Sequence, residues 1–486
     1  MANLWRAFDN RSRKSGETLW ILLGVLLIGV AAAVPLGGSS TTGILLVGLG
    51  VVAVIYLLLP SRWQLWIVVA MAAYFQILET LQLPISQSNV HLLDLFVAMT
   101  LVGWVLRWVL GLHTFRLSRR SGYLLAGILA ILLFPALVGL LRGNILVTIL
   151  RDMRVPFYYI TLSLLVVSSV QTRDDLIATL RGIILVVLPA LLYYFVSWAL
   201  GIPTAEGAST VVLSTGRYLR YGLVTSWEYI MLCWLLGAAF FLTGVVKPTW
   251  RPWLIGLLLA STLALMALLV RGIYLGMLSG ILTIALFSHW VRKPQRLIGA
   301  GLVILLLGGL FVAADAATGL GLLRAVTERA ASIVDPSAST SSSAANRETR
   351  LETTRFISGA ARSPSDLFVG AGYGDRGSFA YSRNSDLQAL FRHSAYSWLF
   401  YRIGLVQGLL ILLLFGIVVW RTGRAVWRME NSLLRGCLVT IMAGFVANFF
   451  VGLGNNTIFD FFGAFSIQVI VELALLLKSD LLLQAA

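Results

Sequence analysis

Near the outer end of a hydrophobic helix the chain reads Phe391-Arg392-His393-Ser394-Ala395-Tyr396, which closes a long polar stretch in an otherwise apolar sequence. A histidine titrates near pH 6.5 and can take a proton from a hydroxyl, while a guanidinium holds an anionic group through paired hydrogen bonds. A His and an Arg at the rim of a membrane core therefore point to proton transfer and anion binding there. Further charged residues fall at the same depth once the apolar runs are read as alternating spans. Arg217 and Arg220 stand in Gly216-Arg217-Tyr218-Leu219-Arg220-Tyr221-Gly222, and Arg271 in Leu269-Val270-Arg271-Gly272. Glu79, Asp94, Glu228 and Asp460 also fall at outer helix ends. Each has an ordinary reading when taken singly: arginines snorkel to headgroups, a histidine caps a helix start, and carboxylates complement a helix end. Their coincidence with the long polar loop singles them out.

The elements that position these residues are set by composition. A chain of 486 residues with 58% hydrophobic residues and a mean hydropathy of +0.88 exceeds what a soluble domain carries. Apolar runs long enough to cross a hydrocarbon core of about 30 Å recur from end to end, and period-2 alternation is absent, so the expected class is an all-α polytopic membrane bundle. The expected spans are 17–34, 44–59, 63–77, 92–110, 123–141, 156–170, 182–201, 226–246, 253–270, 272–290, 297–314, 395–420, 432–451 and 459–477. This gives about 12–14 transmembrane helices. Arg151-Asp152-Met153-Arg154 concentrates charge before the sixth run and reads as an interfacial segment. Residues 1–314 thus hold eleven spans and an external Arg-bearing loop at 202–225, residues 315–394 form one large external loop, and residues 395–486 hold the last spans.

Short basic loops set the orientation. Arg6/Arg11/Arg13/Lys14, Arg116/Arg119/Arg120, Lys247/Arg251, Arg292/Lys293/Arg296 and Arg421/Arg424/Arg428 fall on one side when the spans alternate, which makes that side cytoplasmic. Both termini are then cytoplasmic, and the first run, which lacks a small-residue cleavage site, reads as a retained helix. The net charge of +16 is explained by topology and anionic lipid, and no basic soluble module speaks for nucleic acid. Cys233 and Cys437 lie inside spans, against disulfide or thiolate chemistry, and the four histidines lack ligand spacing for a metal.

The large loop opens with a Ser-rich stretch at 337–343, followed by a predicted helix that Asn346 caps and that carries Arg347, Glu348, Arg350, Leu351, Glu352, Arg355, Phe356 and Ile357. Then comes Val369-Gly370-Ala371-Gly372-Tyr373-Gly374, whose alternate glycines permit left-handed backbone. With no strand–loop–helix unit around it, a structural turn is the better reading than a phosphate cradle.

An Arg-x-x-Arg helix at Arg347 and Arg350, a Gly-x-Gly-x-Gly turn, then His393 at the head of Arg392-His393-Ser394-Ala395-Tyr396-Ser397-Trp398-Leu399-Phe400-Tyr401-Arg402-Ile403-Gly404-Leu405-Val406-Gln407-Gly408 resembles the O-antigen ligase and O-antigen polymerase superfamily. Arg271-Gly272 at the head of a span resembles the family's Ser-Arg-Gly, and 217–222 resembles its Arg-rich external segment. The resemblance runs over roughly residues 217–407 and rests on the order and topology of its parts. Ser394 stands where the family commonly has Asn, and Val270 where it often has Ser. The external segment lacks the family's Asn-Pro-Asn, which leaves open whether Arg217 or Arg220 corresponds to the family residue.

The resemblance implies a GT-C-like bundle and a cofactor-free, metal-independent membrane glycosyltransferase. Its donor would be an undecaprenyl-diphosphate-linked oligosaccharide or polysaccharide, and its site would face the periplasm from the bacterial inner membrane. The acceptor hydroxyl would belong to lipid A core in a ligase or to another lipid-linked glycan in a polymerase. Arg271 and either Arg217 or Arg220 would bind the diphosphate, with Arg347 and Arg350 as further candidates. His393 would be the general base and Glu228 a second candidate for base or orienter. No carboxylate pair speaks for a covalent intermediate, so displacement would invert the anomeric centre. The alternative is a lipid-linked polysaccharide flippase or transporter, which would carry charge near the midplane and broken helices in paired positions. The spans are mostly free of charge, which favours the transferase.

Overall fold

The computed structural model describes residues 41–74, 91–111, 116–199, 209–213, 216–220, 227–244, 248–268, 270–287, 364–375, 395–430, 432–453 and 464–484, with isolated positions between 309 and 327. The expected span 17–34, most of 297–314 and most of the 315–394 loop lie outside these residues.

The chain begins with α1 (Thr41–Leu58), α2 (Ser61–Ala73), α3 (Leu92–Val109), α4 (Arg119–Leu141) and the short α5 (Leu146–Asp152). Next come α6 (Arg154–Ser169), α7 (Arg173–Ala199) and a β-hairpin of β1 (Ser209–Leu213) and β2 (Gly216–Arg220). After the hairpin come α8 (Trp227–Thr243), α9 (Arg251–Ala267) and α10 (Arg271–Phe287). The last part holds α11 (Pro364–Val369), α12 (Ala395–Ile403), α13 (Leu405–Arg428), α14 (Leu433–Val451) and α15 (Ala464–Gln484). Among the described residues, α3, α4, α7, α13 and α14 are long and apolar enough to cross a membrane, and α6, α8, α9 and α10 are shorter apolar helices. The molecule is a helical bundle of the multi-pass membrane kind.

Helix ends gather at two poles. At the first, Arg62 pairs with Asp175 and Arg421 with Asp480. Lys478 Nζ donates to Val167 O at 2.5 Å, and Arg435 Nη2 to Phe287 O at 2.7 Å. These last two are C-terminal carbonyls of α6 and α10, so the cations satisfy orphan acceptors at the negative end of a helix dipole. Arg107 clamps the α1–α2 connection, donating to Leu57 O at 3.0 Å and Leu59 O at 2.5 Å. Helix starts at this pole are capped by their own sequence. Thr172 and Asp175 form a reciprocal box, Thr172 N to Asp175 Oδ2 at 2.9 Å and Asp175 N to Thr172 Oγ1 at 3.2 Å. Because Arg116, Arg119, Arg120, Arg424 and Arg428 are also exposed here, this is the basic pole.

At the far pole the expected span 395–420 is two helices. Gly404, at φ 88°, breaks the run between α12 and α13. A helix of 24 residues rises about 36 Å, so α13 crosses a 30 Å core unaided and α12 lies at the far pole. Here α12 meets α5, whose exposed Ile145, Leu146, Val147 and Leu150 give it the apolar face of an interfacial helix. Between α7 and α8 lies the hairpin, in which Val212 pairs with Arg217 and Ser209 with Arg220.

Helix packing sets where α10 starts. A methyl group at Gly276 would lie 2.5 Å from Val451 Cγ2, 3.2 Å from Ala447 O and 3.2 Å from Met231 Sδ, and one at Gly280 would lie 2.5 Å from Leu235 Cδ2. The Gly276-x-x-x-Gly280 stripe thus lets α10 close on α8 and α14, as small residues do between membrane helices.

Candidate functional site

The last turns of α14 form the corner on which the candidate residues converge. Ala395, at the head of α12, donates its N–H to Gly452 O at 3.1 Å. Tyr396 Oη donates to Phe449 O at 2.8 Å, and the two rings pack with centroids 6.5 Å apart. On the other side, Gly276 of α10 sits against Val451, Ala447 and Met231. Met231 lies one helical turn from Glu228 and Gly276 lies five residues from Arg271, so the heads of α8, α10 and α12 surround one helix end.

Glu228 is in the first turn of α8, fully buried, where a helix N-terminus favours a carboxylate. Arg271 is the first residue of α10. Arg217 and Arg220 belong to β2, where positions three apart fall on opposite faces of a pleated strand. His393 lies two residues before Ala395 and, with Arg347, Arg350, Glu79 and Asp460, lies outside the described residues. The described backbone thus brings Glu228 and Arg271 to the corner on which the head of α12 is pinned.

The Gly-x-Gly-x-Gly strap at 370–374 is held by its neighbours along its length. The Gly-x-Gly-x-Gly run threads between α4, α5 and α12, and all its glycines are left-handed, Gly370 at φ 86°, Gly372 at 77° and Gly374 at 76°. Every N–H from 371 to 374 has an acceptor. Ala371 donates to Tyr401 O at 2.8 Å, Gly372 to Arg402 O at 3.1 Å and Tyr373 to Pro135 O at 2.9 Å. Gly374 donates to Asp152 Oδ2 at 2.8 Å. The Tyr373 ring is fully buried and its hydroxyl donates to Leu132 O at 2.8 Å. This is a structural strap, and its pairing with Asp152 and α12 leaves its glycines no room for a phosphate: a methyl at Gly372 would already lie 2.6 Å from Gly139 N.

An ion pair locks the strap. Arg402 Nη2 lies 3.2 Å from Asp152 Oδ2, with side chains 6% and 2% exposed, while Arg402 Nη1 donates to Gly372 O at 3.2 Å and Asp375 O at 3.1 Å. Tyr401 Oη donates to Asp375 Oδ2 at 2.5 Å. Residue 375 is therefore held against 401–402. Two residues further along the chain from Asp152, Arg154 Nε lies 2.9 Å from Asp94 Oδ1. Asp94 also accepts from Tyr158 Oη at 2.7 Å and from the His91 N–H at 2.8 Å. Asp94 is thereby a structural link between α3 and α6. His91 is half-buried; burial first, then the Arg154 charge, pushes its pKa below 6.5, against the opposing pull of Asp94.

Two features escaped the sequence reading. The Arg402–Asp152 pair joins residues far apart in the chain, and nothing local marks it. Glu472 did carry a local signal, being the one charged residue in the apolar run 469–477 of α15. It is 1% exposed and accepts from Gln468 Nε2 at 2.8 Å and Asn448 Nδ2 at 3.2 Å. Cys233 and Cys437 are buried and free. Among the described residues no three His, Cys, Asp or Glu side chains cluster as metal ligands. Neither models of known protein families nor curated protein sequences match the chain.

Proposed function

We propose that this protein is a lipid-dependent membrane glycosyltransferase of the O-antigen ligase or polymerase type, acting at the far pole. The observation that carries the reading is the convergence of the heads of α8, α10 and α12 on the last turn of α14. That corner gathers Glu228, Arg271 and the backbone two residues after His393.

In this reading the acceptor oxygen attacks the anomeric carbon of a glycan carried on undecaprenyl diphosphate. The acceptor C–O bond forms as the bond from the anomeric carbon to the diphosphate oxygen breaks. The electron pair stays on the diphosphate, and the hydroxyl proton passes to His393. The anomeric configuration inverts. Arg271, with Arg217 or Arg220, holds the departing diphosphate, where bidentate guanidinium bonds are strongest in a water-poor site. Arg347 and Arg350 are further phosphate contacts from the large loop. Glu228 orients the acceptor or assists the base. Asp375 is held by Arg402 and Tyr401, and Ala395, two residues after His393, by Gly452 O, which supports the positioning such a reaction needs.

The test is incubation of the purified protein with lipid-linked oligosaccharide, with lipid A core or with no added acceptor, beside His393→Ala and Arg271→Ala. Glycan joined to core identifies a ligase and a ladder of lengthening lipid-linked chains a polymerase, with both variants losing the product. One observation favours a second reading, a flippase or transporter: Glu472 is an ionisable group buried inside the bundle on α15. Movement of lipid-linked glycan across vesicles without either product replaces the transferase with that reading.

A further inference from the structure

Two helix ends at the basic pole are fixed beside one another with arginine charge left over. Asp480 Oδ2 accepts from Ser118 Oγ at 3.3 Å and from Ser121 Oγ at 3.5 Å, both at the start of α4, and pairs with Arg421 near the end of α13. That carboxylate is thereby committed. Around it stand Arg116, two residues before Ser118, then Arg119 and Arg120, the first two residues of α4, and Arg424 and Arg428 in the last turns of α13. All five are exposed, and among the described residues none has a side-chain hydrogen bond or ion pair. Glu430, two residues beyond Arg428 and also exposed, offsets at most one of these charges. The placement costs α4 stability when taken alone, because its first turn holds no acid and its positive dipole end repels Arg119 and Arg120. The charge is left to a partner of opposite sign.

Below the arginines the same two helices border a lipid-facing groove. They run antiparallel, with Arg119 and Arg428 at one pole, and touch where a methyl at Gly127 would lie 3.4 Å from Leu414 Cδ1. At about 100° per residue, the exposed Arg119, Tyr123, Ala126 and Ala130 fall to one side of Gly127, and the exposed Leu413, Trp420, Arg424 and Arg428 to the same rotational side of Leu414. In antiparallel neighbours equal rotations open one face, so both stripes line one groove. Tyr123 and Trp420 are 71% and 68% exposed. Each stands four residues, about 6 Å, deeper than Arg119 and Arg424 respectively, where aromatic rings meet headgroups. Beyond them Ala126 and Ala130 keep the α4 wall low. Cations, then aromatic rings, then small apolar residues match the phosphate, glycerol and acyl chain of a phospholipid in that order. The cations also form two groups, Arg116, Arg119 and Arg120 on α4 and Arg424 and Arg428 on α13, on either side of the neutral Arg421–Asp480 pair. A lipid with one phosphate answers one group, whereas two phosphates joined through a glycerol answer both.

We propose that the basic end of the α4–α13 groove binds an anionic phospholipid of the cardiolipin class, with one phosphate at each arginine group and acyl chains along Tyr123, Trp420 and Ala130. The site is remote from the candidate corner and does not depend on the transferase reading. General attraction of a basic loop to an anionic leaflet would select neither two phosphates nor this groove.

The probe is cardiolipin added to the delipidated full chain in detergent at fixed ionic strength, with bound lipid counted by native mass spectrometry and the thermal unfolding midpoint followed alongside. One cardiolipin per chain is retained, and the midpoint rises, at concentrations where phosphatidylglycerol matched for phosphate does neither. Arg119→Gln and Arg424→Gln each weaken retention about fivefold. Arg251→Gln, which removes an exposed charge from the head of α9 at the same pole, leaves it unchanged. Ala130→Phe, which fills the groove and alters no charge, weakens it as well. Equal retention of phosphate-matched phosphatidylglycerol overturns the proposal, as does a loss in Arg251→Gln equal to that in Arg119→Gln, which would reduce the effect to the overall charge of the pole. Full displacement of cardiolipin by its deacylated headgroup at equal concentration overturns it too, since the groove would then contribute nothing.

Discussion

At the scale of single residues, the decisive question at the far pole is which charges hold structure and which are left for chemistry. Asp152 and Arg402 are committed to structure, since between them they hold the Gly374 N–H and the Gly372 and Asp375 carbonyls. Asp152→Asn keeps an acceptor for Gly374 but leaves the Arg402 guanidinium without its carboxylate. Breaking one side of a buried pair costs about 3–5 kcal/mol. The double variant Asp152→Asn/Arg402→Met removes the stranded charge, so thermal unfolding of the four proteins should give less than the sum of the single losses. His91 supplies the pH dependence. Its folded pKa lies below the ordinary 6.5, so the unfolded chain takes up the proton first. The contribution is intact above pH 6.5 and is lost as pH falls from there toward the folded value. Unfolding midpoints followed from about pH 7.5 to about pH 5.5 should fall, and His91→Asn should flatten that part of the slope.

At the scale of elements, the position of Arg271 depends on how closely α10 approaches α14. Gly276→Val places methyl groups where Val451, Met231 and the Ala447 carbonyl already stand, at a cost of about 1–3 kcal/mol. The same change at Gly256 of α9, with nothing within 4 Å, is the control. Transfer activity should fall in Gly276→Val by more than the unfolded fraction explains, because the helix head that carries Arg271 is pushed from the corner, and Gly256→Val should match the parent. The helical membrane class was legible because lipid imposes length and apolarity on the runs that cross it, five of them among the described residues. The break at Gly404 was not, since Ile403 and Leu405 beside it continue an apolar pattern and only the backbone of Gly370, pressed against it, requires the turn. The glycine run was readable as a turn from its alternate glycines. Its partners were not, because Pro135, Gly139 and Asp152 approach it only through the packing of α4 and α5. Arg271 and Glu228 were legible as helix-end charges. Glu472 was readable as the one acid in an apolar run with Gln468 one turn before it, but Asn448 reaches it only through the packing of another helix.

At the scale of the whole molecule, the two poles use their arginines differently. At the far pole Arg154 and Arg402 are paired with Asp94 and Asp152, and Arg142 and Arg151 are exposed. At the basic pole Arg116, Arg119, Arg120, Arg424 and Arg428 stand exposed on short connections, where anionic headgroups of a cytoplasmic leaflet attract them. The larger number of exposed arginines on short connections at the basic pole is what supports the proposed orientation, with the candidate corner away from the cytoplasm. Single cysteines at Ile145, exposed just before α5, and Arg424, exposed on α13, read it directly, because Cys233 and Cys437 are buried and stay silent. A membrane-impermeant maleimide added to intact cells should label Ile145→Cys at once and Arg424→Cys only after permeabilisation. The reverse pattern would put His393 and Arg271 on the side where a glycan assembled on undecaprenyl diphosphate has not yet crossed. An acceptor displayed outside the membrane could not then reach them, so the orientation decides whether transfer at this corner is possible at all.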